Sequence, residues 1–115
     1  MKAIGAFLIA AALCGLAVVT MAAQTSWVDE INNSLSFTAA NYPNSNWEPY
    51  QHKIRLVHDA VGRGDNQVVK MEMGKWFKML KDREYGIHPK AADELFRIAV
   101  LTTPFDEYKI SVPDK

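Results

Sequence analysis

The sequence predicts an all-α fold: a small bundle of four short helices with a central antiparallel helix hairpin and an extended C-terminal tail. Three observations lead there. Two stretches carry apolar residues at spacings of four, three and four, namely Tyr50, Ile54, Val57, Val61 and then Val69, Met73, Trp76, Leu80, which puts each set on one helical face. Between them lie only Gly62, Arg63, Gly64 and Asp65, a stop-and-cap sequence that reverses the chain. Prolines 43, 49, 89 and 104 stand at the edges of the periodic stretches rather than within them.

The first element is a targeting segment. Lys2 is the only charge before Asp29, and the apolar run AIGAFLIAAALCGLAVV from Ala3 to Val19 leads to Thr20, Met21, Ala22 and Ala23. One basic residue, an apolar stretch and small residues, in that order, make a secretory signal peptide. Residues 1–22 are assigned to it and residues 23–115 to the helical domain, with Gln24 the alternative first mature residue. The competing reading is an uncleaved anchor, because Ala3 to Ala23 is 21 residues and about 20 suffice to cross a bilayer. The single cysteine, Cys14, falls inside this segment behind Leu13, which is not the small residue a lipoprotein site needs. The mature domain is therefore expected to lack disulfides, a thiolate nucleophile, iron–sulfur ligation and c-type haem attachment.

Ser26 precedes Trp27, Val28, Ile31 and Leu35, with Asp29 and Glu30 in the first turn, where carboxylates suit the helix dipole. A first helix is predicted to about Ala40, followed by a loop over Asn41–Asn46 built on Pro43 and residues that bond their own backbone. Pro49 opens the second helix, which ends at Gly62. Asp65 caps the third, whose apolar arc is widened by Val68, Phe77 and Met79 to about half the circumference and which is predicted to run to about Tyr85. His88 and Pro89 open a fourth helix that is apolar nearly all round, and Pro104 closes it. The remainder, from Phe105, is predicted as an extended tail.

Composition narrows the function. With 13 basic and 13 acidic side chains the net charge is zero, so phosphate neutralisation has no surplus of lysine and arginine behind it and a nucleic-acid binder is not expected. There is no G-x-S-x-G, and the adjacent acids Asp29 and Glu30, Asp93 and Glu94, Asp106 and Glu107 diverge by about 100° on a helix, so no pair faces one substrate. The chain is not expected to be an enzyme. Among metal or haem ligands the candidates are His52, His58, His88, Met71, Met73 and Met79. His52 and His58 are six residues apart and so lie on different faces, Met71 points away from the apolar face, and Met73 points into it as core filler. No cofactor or metal is assigned. Glu72 is the unusual carboxylate, on the margin of the third helix's apolar arc, where burial demands a lysine or arginine from another helix. Arg63, Gly64 and Asp65 spell an adhesion tripeptide, but turn and cap already account for them.

The aromatic residues are left. Tyr42 and Trp47 sit in or beside the polar loop, Phe37 falls off the first helix's apolar face, and Phe105 and Tyr108 lie beyond Pro104. Tryptophan and tyrosine anchor protein interfaces because each buries a large area at low entropic cost. Tyr42, Trp47, Tyr50, Phe105 and Tyr108 are the candidate anchors of a protein-binding surface; in the competing arrangement, loop and tail fold back and bury these rings. The run AVGRGDNQVVKMEMGKWFKMLKDREYGIHPKAADELFRIAV, with the export signal and no haem motif, resembles the small helical periplasmic partner protein of multihaem hydroxylamine oxidoreductase in ammonia-oxidising bacteria. The resemblance implies a periplasmic accessory subunit that docks on a c-type cytochrome enzyme and has no catalytic residues of its own. The expectation is thus an exported, non-catalytic subunit of a larger periplasmic complex, such as a multihaem oxidoreductase, with no nucleic-acid partner and no membrane attachment after signal cleavage. Its rival is a small b-type haem or copper carrier using histidine and methionine ligands.

Overall fold

The computed structural model describes residues 26–113. The signal-peptide assignment, residues 1–22, lies outside the described residues. Within them the fold is all-α, as the periodicity predicts: α1 (Trp27–Asn41), α2 (Glu48–Arg63), α3 (Asn66–Lys81), α4 (Pro89–Thr102) and a four-residue α5 (Phe105–Tyr108), with one 3-10 turn, Glu84–Gly86, between α3 and α4. No helix among the described residues is long and apolar enough to cross a membrane.

The caps are those the local sequence calls for. The Ser26 hydroxyl accepts from the Val28 amide at 3.0 Å, and the Asp65 carboxylate accepts from the Val68 amide at 3.3 Å, so each ties down a free donor of a first turn. His88 is the N-cap of α4, its Nδ1 accepting from the Lys90 amide at 3.1 Å. At the other end of α2, Gly64 takes the left-handed conformation (φ 74°), which lets the Asp65 amide reach the Ala60 carbonyl at 2.9 Å and the Gly64 amide reach Val61 at 3.1 Å. A glycine suits that position because a side chain there is strained. The consequence is the predicted α2–α3 hairpin.

The principal helix contacts run α1–α2, α2–α3, α3–α4 and back from α4 to α1, so the four long helices form a closed ring. Two ring pairs show that α1 and α4 are antiparallel. Tyr42, just after α1, lies 4.9 Å from His88, just before α4, and Trp27 at the start of α1 lies 5.6 Å from Tyr108, beyond the end of α4. Each helix points a narrow set of side chains inward: Val28, Ile31 and Leu35 from α1, Tyr50, Ile54 and Val57 from α2, Met73, Trp76 and Leu80 from α3, Ala92, Leu95 and Ala99 from α4. These are the i, i+3, i+4 rows that set the helix predictions.

Two boundaries differ from the sequence reading. The third helix ends at Lys81 instead of near Tyr85, because Arg83 (φ 53°), Tyr85 (φ 67°) and Gly86 (φ 72°) adopt left-handed backbone. The C-terminal tail is extended only after it has made a helical turn: α5 packs on α3, with Phe105 5.6 Å from Phe77, and Ile110 is buried behind it. The physical cause in the second case is unfinished core. Phe77 and Trp27 present ring faces that α4 does not cover, and the tail supplies Phe105 and Tyr108 to them.

A candidate protein-binding groove on α3

The structure buries three of the five sequence-derived anchors and half-buries the other two. Tyr50 is 0% exposed, Trp47 5% and Tyr108 8%, while Tyr42 and Phe105 are half-buried. In each case a specific contact draws the ring inward. The Trp47 indole N–H donates to the Tyr42 carbonyl at 2.9 Å, which folds the 42–47 loop back over the start of α2. Tyr50 sends its hydroxyl to the carbonyls of Met79 (2.9 Å) and Glu84 (2.7 Å), and its ring stands 5.7 Å from Trp47. Tyr108 lies on Trp27, Phe105 on Phe77, and Tyr42 on His88. The loop and the tail are satellites of the core. Burial also acts on the Tyr50 hydroxyl, pushing its pKa above the ordinary tyrosine value, and the nearby Glu84 carboxylate adds to the shift.

Other residues reach solvent. Phe37 is 71% exposed on α1, and Leu101 is 83% exposed on α4 with Ile98 one turn away. Met71 and Tyr85 are also open. Thus α4 buries a stripe and leaves two aliphatic residues outside, rather than being enclosed all round. Phe37 and Met71 are where their helical phase places them, off the apolar faces. Ile98 and Leu101 were legible only as apolar; that nothing within the ring covers their side of α4 depends on where α1 and α3 pack.

The charged residues of interest have structural partners. Glu72 accepts from Lys53 Nζ at 2.7 Å, both side chains being largely buried where α2 meets α3. The required cation comes from the neighbouring helix, and Glu72 is half of an inter-helix ion pair. Glu72→Ala is expected to cost about 3 kcal/mol of stability, because it strands the Lys53 ammonium. A Lys53→Met, Glu72→Leu double variant is expected to recover most of the loss in chemical denaturation; a double variant as unstable as the single one contradicts this account. The Arg63–Gly64–Asp65 tripeptide is absorbed by the turn, with Arg63 Nη2 3.4 Å from Asp65 while that carboxylate caps α3. His58 stands 3.4 Å from Asp29. Among the described residues no group of three or more histidine, cysteine or acidic side chains is arranged to hold a metal ion.

A groove of about 790 Å³ runs along the outward face of α3, walled on its far side by Ile110, Ser111 and Pro113. Its floor is Met71, Gly74 and Phe77, and Lys70, Lys75, Lys78 and Lys81 stand around it. Lys78 donates to Asp82 at 2.7 Å, which holds its ammonium above the ordinary lysine pKa; among the described residues Lys70, Lys75 and Lys81 form no ion pair. The row follows from helical phase: Lys70, Gly74, Lys78 and Lys81 recur every three or four residues on the side away from Val69, Met73 and Trp76, and Lys75 flanks that line. Gly74 is unusual. A mid-helix glycine costs about 1 kcal/mol relative to alanine, yet its φ is not left-handed and a Cβ there meets nothing within 4 Å. The fold itself does not require it.

Sequence reasoning missed this groove, because its wall is a tail whose return onto α3 is tertiary. The available signal was the lysine row on α3, which carries four lysines and one acid in a chain of zero net charge. Comparison with known proteins adds no relative: no family model, no curated protein and no solved structure matches the chain.

Proposed function

We propose that this chain is an exported, non-catalytic protein-binding subunit that docks on a larger periplasmic complex, with a multihaem c-type cytochrome oxidoreductase as the class of partner. The observation that carries the reading is the α3 groove: an apolar floor ringed by lysines, on a helix whose other side is fully engaged in the core. Soluble domains bury apolar surface of this kind against partners, and charge at the rim sets their orientation. Export rests on the order of basic, apolar and small residues over 1–23. The cytochrome class rests on the sequence resemblance of residues 60–100.

The test uses the full-length chain with a C-terminal tag, produced in its own cells. The expected result is recovery from the periplasmic fraction, an intact mass that begins at Ala23, and co-purification in fixed stoichiometry with a larger, haem-staining protein. Once separated, the chain is expected to be colourless. An intact mass that retains residues 1–22 replaces the cleaved signal with a membrane anchor. A chain recovered alone, or carrying a Soret band or stoichiometric copper of its own, removes the subunit reading.

A further inference from the structure

We infer that the groove between α3 and Ile110–Pro113 receives an acidic amphipathic helix of the partner protein, its apolar side chains laid on Met71, Gly74 and Phe77 and its carboxylates on the surrounding lysines. The inference rests on the reading of this chain as a protein-binding subunit and names the chemistry of the segment it takes.

Charge comes first. The single acid of α3, Glu72, faces α2 and is engaged by Lys53, so the charged side chains that α3 gives the groove are all lysines. At the groove one of them, Lys78, is compensated by Asp82. A neutral chain has concentrated positive charge on one helix face, and the complementary ligand carries carboxylates. Shape comes second. The surface is a trough with a wall, not a plane, so a rod-like segment fits it better than a flat bilayer. From Lys70 to Lys81 the trough follows about three helical turns, roughly 16 Å, the length of a short docked helix. Gly74 comes third. Nothing inside the protein approaches it, so its missing side chain serves an approach from outside, where it lets a second helix axis come close to α3. Met71 beside it is exposed, and its unbranched thioether adapts to whatever side chain the partner presents.

The chain's own undescribed residues are poor occupants, since residues 1–25 contain no acidic side chain and residues 114–115 are too few to fill three turns of trough. A helix from another protein answers both the charge and the shape.

The experiment titrates the purified full chain with two synthetic 15-residue helical peptides. Both carry leucines at i, i+3/i+4 and i+7; one is flanked by glutamates and the other by lysines. Binding is read by fluorescence anisotropy and by amide chemical shifts. The glutamate peptide is expected to bind and to shift amides of α3 and of residues 110–113, while the lysine peptide does not. Lys70→Glu, Lys75→Glu and Lys81→Glu combined are expected to weaken binding by at least ~10-fold, as is raised salt. Gly74→Gln is the discriminating variant: it is expected to raise the melting temperature and yet weaken binding, a combination that a merely structural role does not produce. Leu101→Gln, on the α4 surface, is expected to leave binding unchanged.

Equal binding of the two peptides, binding of neither, or shifts centred on Phe37 and Leu101 overturns the inference. So does lysine-dependent binding to vesicles of phosphatidylcholine and phosphatidylglycerol in place of the peptide, which makes the site a membrane contact. Concentration-dependent dimerisation abolished by Gly74→Gln also overturns it and makes the occupant a second copy. If the native complex forms and survives both sets of groove substitutions, the inference fails and the subunit reading stands. If no native complex forms, the subunit reading fails with it.

Discussion

Trp76→Ala is expected to lower the free energy of unfolding by about 3–5 kcal/mol, the cost of emptying a large, closed aromatic site. Trp76 is the largest fully buried side chain of the protein. Its indole N–H donates to the Tyr50 carbonyl at 3.3 Å, linking α3 to the first turn of α2, and its ring meets Phe77 edge-on at 5.7 Å. Phe77 in turn lies 5.6 Å from Phe96 of α4 and 5.6 Å from Phe105 of α5. The substitution therefore opens a cavity at the point where α2 and α3 meet, beside the ring that α4 and α5 share. Domains of this size have total stabilities of about 5–15 kcal/mol, so the loss is a large part of the whole. Urea unfolding followed by far-ultraviolet circular dichroism measures it, with Trp76→Phe expected to fall between wild type and alanine. A change below about 1 kcal/mol for Trp76→Ala contradicts the packing described.

The second large effect is expected at Tyr50. Its hydroxyl lies within hydrogen-bonding distance of two carbonyls, those of Met79 and Glu84, and holds the end of α3 against the connector. Tyr50→Phe keeps the ring and deletes the donor, leaving the buried Met79 carbonyl without it, at an expected cost of about 1–3 kcal/mol. The variant also changes pH dependence. Burial, reinforced by the Glu84 and Asp82 carboxylates, raises the folded-state pKa of Tyr50 above its ordinary value near 10. Up to about pH 9 the group is protonated in both states and its contribution is constant. Above about pH 10 the unfolded chain releases the proton while the folded chain keeps it, so stability falls with rising pH. Tyr50→Phe is expected to be less stable at neutral pH and to lose less stability between pH 9 and 11. Parallel alkaline limbs for the two proteins contradict this.

Tyr50 also explains why α3 ends earlier than the sequence reading placed it. The regular helical partner of the Met79 carbonyl is the Arg83 amide, four residues on. Here the Arg83 amide turns instead to Leu80 at 3.1 Å, and the Met79 carbonyl accepts from Tyr50, 29 residues earlier in the chain. The helix stops where a long-range donor replaces the local one. Residues 82–85, Asp-Arg-Glu-Tyr, contain no strong breaker, so nothing in them announces the stop. The left-handed residues Arg83 and Tyr85 then turn the chain toward Ile87 and the start of α4.

How far the aromatic anchors are covered was illegible in the sequence for a related reason. A tyrosine and a tryptophan flanking a proline- and asparagine-rich loop look free to bind a partner. Their burial depends on the indole of Trp47 meeting the Tyr42 carbonyl and on His88, from the far side of the chain, arriving over Tyr42. Likewise Phe105 and Tyr108 follow a proline and leave the periodic pattern, yet the rings they cover belong to α3 and α1.

The sequence by itself determined the helical class, the four long helices, the α2–α3 hairpin and the caps at Ser26 and Asp65. These arise from interactions within one or two turns, where a side chain's phase or a cap's hydrogen bond is set by residues a few positions away. Only the tertiary structure decided where α3 ends, which cation meets Glu72, which aromatics are covered, and that a returning tail makes a groove of a lysine-lined helix face. Each of those depends on groups far apart in the chain meeting across the ring, and local pattern carries no information about which distant surface will be the one to arrive.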